Sequence, residues 1–193
     1  LGTEKFAELV HEKSDGRIEI KWHYGGQLGS DVETFEAISN GNLDMATGSI
    51  ANITTITNAF DPFLLPFLFE SEEQTLRAIG DEEVRALIND EINEFNLEWI
   101  ASYDFGGPRV IGTSEKISTP EDLEGLSIRA SRSVMEIASQ EAWGAKGITV
   151  DWPETAEAIR SGMVDGLTDT YASIHSGNLY QGGIVRHIVD VPF

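Results

Sequence analysis

Ile117-Ser118-Thr119-Pro120-Glu121-Asp122-Leu123-Glu124-Gly125-Leu126-Ser127-Ile128-Arg129 reads as a helix start, a stop and a strand in immediate succession. Thr119 is an N-cap residue, and Pro120 takes the first helical position, where its missing N–H costs nothing. Glu121 and Asp122 place negative charge at the positive end of the turn. Gly125 supplies the stop, and 126–130 reads as a strand that brings Arg129 to its end. Strand ends in open α/β sheets face the ligand crevice. A guanidinium there offers a planar fork matched to a carboxylate, with charge-assisted bonds of roughly 1.5–3 kcal/mol each.

The same alternation continues outward in both directions. Downstream, 134–143 is a helix closed by Gly144, 148–150 a strand, and Trp152-Pro153-Glu154 opens a helix closed by Gly162. A strand at 163–167, a helix at 171–179 and a last strand at 184–189 follow. Upstream, 109–113 is extended and sits behind a break at Phe105-Gly106-Gly107-Pro108. Before that break, 97–103 reads as a strand and 71–94 as a helical stretch divided at Gly80. The most apolar run, 60–69, is interrupted by Pro62 and Pro66. The first residues read helix (Phe6, Leu9, Val10), strand (17–22, alternating), glycine loop (25–29), helix (Val32, Phe35, Ile38, capped by Ser30 or Asp31) and strand (43–47). Such alternation predicts an α/β fold with a parallel sheet, in two segments meeting near 106–108.

Composition narrows the function classes. The 193 residues hold 33 Asp plus Glu against 13 Lys plus Arg, a formal net charge of −20. Nucleic-acid binding needs a basic footprint, and no Lys/Arg cluster is present. A polybasic membrane-surface helix is excluded on the same ground. With 40% hydrophobic residues the chain can build a core, so it is not disordered. The absence of cysteine removes disulfide frameworks and thiolate chemistry. No run of about 18 apolar residues occurs, so no membrane-spanning helix is predicted. The acidic excess reads either as a well-hydrated surface suited to a saline habitat or as a cation site. Carboxylates spread along the whole chain favour the surface.

Catalytic motifs fail one by one. His11-Glu12 begins like a zinc-protease helix, but Asp15 stands where the second His belongs. The four histidines have no ligand spacing, and neither a P-loop nor a nucleophile elbow is present. Asp165 and Asp169 follow one strand and could enter a cleft, although Asp165 also fits a turn. Arg77 and Arg85 lie on an acidic helix and are expected to pair with neighbouring Glu. Arg109, after Gly-Gly-Pro, and Arg129, at a strand end, are the cations placed for ligand binding; an ordinary ion pair remains the alternative for each.

Several segments, taken in order, resemble the DctP-like extracytoplasmic solute receptors, the substrate-binding proteins of TRAP transporters. They are Gly26-Gln27-Leu28-Gly29, Asn40-Gly41-Asn42-Leu43-Asp44, Leu65-Pro66-Phe67, the 117–129 stretch, Gly144-Ala145, Trp152-Pro153-Glu154 and Gly162-Met163-Val164-Asp165-Gly166. Each is weak alone, and together they span nearly the whole chain. The resemblance implies a two-lobed periplasmic-binding-protein-like fold, each lobe a β-sheet flanked by helices, with the ligand cleft between them. The lobes would be 1–106 and 107–193, both incomplete, lacking a first strand and whatever follows Val191-Pro192-Phe193.

The same resemblance implies function. A periplasmic receptor would close over a small organic anion and deliver it to the membrane permease, with no cofactor, metal ligand or catalytic residue. Arg129 maps onto the family's main carboxylate clamp, Arg109 onto a second arginine, and Trp152 onto an aromatic wall. Asp31, Ser49 and Asn52 would face the ligand from the first lobe. Asp169 stands where many members have Asn; it would either meet a hydroxyl, amine or cation of the ligand or point away. Two other function classes stay open. One is an α/β enzyme using Asp165, Asp169 or Glu154 as acid or base; the other is a metal-dependent acidic module. A receptor of this charge must select anions at short range, since screening confines repulsion to about 8 Å at physiological ionic strength.

Overall fold

The computed structural model describes residues 2–103 and 106–189. Phe105 of the expected break and the closing Val191-Pro192-Phe193 lie outside the described residues. The first helix, α1, is Gly2–Lys13, followed by a turn through Asp15 and Gly16, both at positive φ. Helix α2, Asp31–Ser39, starts with a capping box in which Ser30 and Glu33 exchange side-chain and backbone bonds. A single-turn helix α3, Ile50–Ile53, is capped by Ser49. The acidic helical stretch is two helices, α4 at Glu72–Gly80 and α5 at Glu82–Ile92. Asp81 divides them, accepting from the backbone N–H groups of Glu83 and Val84.

The second half forms a five-stranded mixed sheet. Its elements are β1 (Arg109–Thr113), β2 (Ser127–Ala130), α6 (Val134–Ala142), β3 (Lys146–Thr149), α7 (Thr155–Arg160), β4 (Gly166–Thr170), α8 (Tyr171–Ser176) and β5 (His187–Val189). The strand order is β3-β2-β4-β1-β5; β2 runs parallel to β3 and β4, while β1 is antiparallel to β4 and β5. The helix start of the 117–129 stretch is a 3-10 turn, Pro120–Leu123, in which Asp122 accepts from the N–H groups of Ser118 and Thr119.

Three expected strands, 17–22, 43–47 and 97–103, belong to no ladder among the described residues. Alternation of side chains says which face of a segment packs, but a strand exists only where a neighbour answers its N–H and C=O groups. Ile18 and Ile100 of these segments are each more than half exposed. The expected strand at 163–167 lies further along as β4, because the N–H groups of Met163 and Val164 bond back to Ala158 and so complete the end of α7. Arg85 lies over the Trp99 ring at 5.8 Å, and neither it nor Arg77 forms an ion pair with Glu among the described residues.

Two apolar cores result. One joins Phe60, Ile88, Ile92 and Leu97, with Phe60 edge-on to Trp99. The other fills the sheet region with Val110, Val164, Leu167, Ile174, Leu179 and Val185. No helix among the described residues is long and apolar enough to cross a membrane.

Candidate functional site

The sheet register decides which residues meet. The parallel strands β2, β3 and β4 end at one edge, and antiparallel β1 begins there, with Arg109 opposite Thr170 and Val110 opposite Asp169. Arg129 is level with Leu167, two residues before Asp169 on the same face of β4. Because side chains alternate, Arg109 shares the opposite face with Thr168. Two arginines expected together therefore stand at one edge but on different faces.

Arg129 is only 2% exposed. Its Nε donates to the Val150 carbonyl at 2.9 Å and its Nη1 to Ser131 Oγ at 3.4 Å. Asp169 Oδ2 lies 3.5 Å from Nη1, while Oδ1 accepts from the Thr170 N–H. The guanidinium lies 5.7 Å from the centre of the Trp152 ring. Burial pushes its pKa below the usual arginine value, against the pull of Glu136 and Asp169; it remains a cation. Asp169 thus points at the arginine. Trp152 sits in the 3-10 turn Trp152–Glu154, with Pro153 at its start, and packs on Gly177, where any Cβ would lie 2.9 Å from its ring.

On the other face Arg109 donates from Nη2 to Glu136 Oε1 at 2.8 Å and to the Thr168 carbonyl at 3.3 Å. Burial opposes its charge, but Glu136 and Asp169 together hold its pKa above the ordinary value. Glu136, 6% exposed in the first turn of α6, also accepts from the Thr168 hydroxyl and from the Ser131 N–H. Gln140 extends the network, donating to Thr168 Oγ1 and the Arg129 carbonyl.

Asp31, Ser49 and Asn52 do come together. Asp31 Oδ2 accepts from the Ser49 N–H and from Asn52 Nδ2, both at 2.9 Å. Gly48 makes this possible, since a Cβ there would meet Asp31 and Phe35 at 2.8 Å. Asn52 then reaches the sheet region, its Oδ1 accepting from the Arg132 N–H at 3.1 Å, while Thr54 Oγ1 donates to the Arg132 carbonyl. Arg132 forms a two-pronged pair with Asp151 at 2.9 and 3.0 Å. That pair holds the Asp151 carboxyl below its usual range. A cavity of about 590 Å³ lies here, lined by Asp31, Asn52, Thr47, Asp151, Trp152 and the 25–29 loop glycines among others. Arg109, Arg129, Ser49 and Asp169 do not line it; Arg129 stands behind Trp152.

Sequence reasoning missed Glu136, Ser131, Arg132 and Asp151. Arg132 and Asp151 follow the same strand ends that singled out Arg129, so the strand-end rule could have found them. Glu136 follows the capping residue Ser133 by three, a pattern that reads as a capping box, whereas its carboxylate faces Arg109.

A family model, the DctP family of bacterial extracellular solute-binding proteins, family 7, matches residues 1–182. The chain belongs to this family. DctP-family members are extracytoplasmic solute-binding proteins rather than enzymes, and this chain shares their fold. A TRAP periplasmic solute-binding protein of Pseudomonas putida F1, solved with bound D-glucuronate, superposes with a TM-score of 0.89 at 28% identity, covering 96% of this chain and 60% of that one. Another, from Sulfitobacter sp. NAS-14.1 with bound β-D-galacturonate, gives 0.86 at 29% identity, over 93% and 60%. A solute-binding protein of Chromohalobacter salexigens is 28% identical over 92% of this chain and 53% of its own length. The chain spans about half the length of the curated relatives it matches.

Proposed function

We propose that this chain forms part of the substrate-binding subunit of a TRAP transporter. In this reading a small organic carboxylate is caught between two lobes, 1–106 and 107–193, held by Arg129, and handed to the membrane permease. The observation that carries it is the Arg129 corner. A buried guanidinium at the C-terminal edge of a sheet, stacked near a half-exposed tryptophan beside a cavity, is a poor way to gain stability and a good way to seize a carboxylate.

Contacts across the cavity support a hinge closure. Asn52 and Thr54 hold the Arg132 backbone, so Asp31 and the 131–133 loop are tied through one side chain. A ligand touching both sides favours that closed arrangement by its differential contacts. Arg109 enters as a positioning residue: its pair with Glu136 fixes the Ser131 backbone, and Ser131 Oγ in turn receives Arg129. Bound hexuronates in two relatives make sugar acids the first compounds to test, followed by keto acids and C4-dicarboxylates.

The test uses the complete gene product carrying these residues. A thermal-shift screen of carboxylates is expected to raise the melting temperature with at least one class. Arg129→Ala is then expected to weaken that binding by about 2–5 kcal/mol in calorimetry. Unchanged affinity would reject Arg129 as the clamp.

A further inference from the structure

We infer that the ligand carries a cationic nitrogen, an ammonium or amidinium, as well as its carboxylate, so that its net charge is near zero. The inference rests on the receptor reading above and refines its substrate class. Among the described residues, the lining of the cavity contains two carboxylates, Asp31 and Asp151, and no Lys, Arg or His. Each of the three arginines at this edge already has a carboxylate partner: Arg109 has Glu136, Arg129 has Asp169, and Arg132 has Asp151. Asp31 is held by neutral donors, the Ser49 N–H and the Asn52 amide. Among the described residues, a purely anionic ligand would therefore add charge to a site whose arginines each face a carboxylate and whose Asp31 has no cationic partner.

A ligand with both charges removes the conflict. Its carboxylate can take the Arg129 guanidinium, to which Asp169 is only loosely joined at 3.5 Å. Its nitrogen can then meet the displaced Asp169 carboxylate, or Asp31 across the cavity, as charge-assisted hydrogen bonds. Trp152 lines the cavity and already presents its face to one guanidinium, a surface that also suits an alkylammonium.

Matched pairs test the idea on the complete gene product by calorimetry: D-glucuronate against 2-amino-2-deoxy-D-glucuronate, and glutarate against 4-aminobutyrate. The amino member of at least one pair is expected to bind about ten- to hundredfold more tightly. Asp169→Asn, which keeps shape and loses charge, is expected to shrink that preference by a similar factor. The wild-type ratio is a second readout that does not depend on the variant folding. If the plain anion binds as well or better in both pairs and Arg129→Ala abolishes its binding, the inference falls and the receptor reading stands. A preference untouched in a folded Asp169→Asn protein also overturns the role given to Asp169. If no member of either pair binds while another carboxylate raises the melting temperature, the inference falls and the receptor reading stands. If Arg129→Ala leaves binding unchanged, Arg129 is rejected as the clamp and the inference, which seats the carboxylate there, falls with it.

Discussion

Arg109 and Arg129 stand at the same end of one sheet, on opposite faces, and differ in how their charge is answered. Arg109 meets Glu136 at 2.8 Å inside a network that also ties Thr168, Ser131 and Gln140. Arg129 meets Asp169 only at 3.5 Å and spends its other bonds on Val150 and Ser131. The first arrangement gives its guanidinium a carboxylate at hydrogen-bond distance but leaves Arg109 Nε and Gln140 Oε1 buried without a partner among the described residues. The second satisfies Nε and Nη1 with neutral oxygens and holds its carboxylate less closely. In the proposed reading, that contrast makes Arg109 the arginine that frames the site and Arg129 the one whose looser carboxylate partner a ligand can displace. Glu136→Ala should expose the difference most sharply. Breaking a buried pair by removing one partner costs about 3–5 kcal/mol. Arg109 keeps 22% of its side-chain surface in solvent, which puts the expected loss near the lower end, read as denaturant-unfolding free energy. A loss below about 1 kcal/mol would mean that the pair frames nothing.

Removing both partners sharpens the comparison further. Arg109→Met with Glu136→Leu deletes the two charges together, and such replacements are often neutral or stabilising. The double variant is expected to recover most of the stability lost in Glu136→Ala. Its ligand affinity is expected to fall by less than about tenfold, because only the positioning of Ser131 is lost. A drop as large as that of Arg129→Ala would place Arg109 in direct contact with the ligand.

What was legible in the sequence divides along the same line. The 117–129 stretch announces β2 and Arg129 because capping, proline placement and a glycine stop are local signals that tertiary structure did not override. The same holds for α6 and its Ser133 cap. The segments 17–22, 43–47 and 97–103 look like strands but lack ladders, because pairing depends on a neighbour that local pattern does not name. Among site residues, Asp31, Ser49 and Asn52 were grouped by family resemblance and do meet through hydrogen bonds. The split of Arg109 from Arg129 could not be read, since their faces depend on the register of β1 against β4 and of β4 against β2. Asp169 departs from the family pattern in the sequence itself, whereas its meeting with Arg129 depends on the same registers.

Trp152 tests the open side of the comparison. It is 37% exposed, lies over Arg129 and packs on Gly177, so its removal touches the binding corner more than the core. Trp152→Ala is expected to cost about 1–2 kcal/mol of ligand binding through the lost cation–π contact and apolar wall. Trp152→Phe should retain part of it. Equal affinity in all three proteins would remove the tryptophan from the site.

The Arg132–Asp151 pair offers the smallest effect and a check on sign. Arg132 is about half exposed, so the pair is worth roughly 0–1 kcal/mol despite its two-pronged geometry. The bond from Arg132 holds the Asp151 carboxyl below its usual range, with partial burial opposing. A carboxylate whose folded pKa is depressed stabilises the fold above its unfolded value, near about 3.9, and loses that contribution as pH falls through the folded value. The stability difference between the wild type and Arg132→Ala should therefore be constant from neutral pH down to about 5 and vanish at lower pH. Arg132 also lends its backbone to Asn52 and Thr54, which an alanine keeps. A difference that grew on acidification would reverse the assignment, making Asp151 a group strained by its charge instead of one held by it.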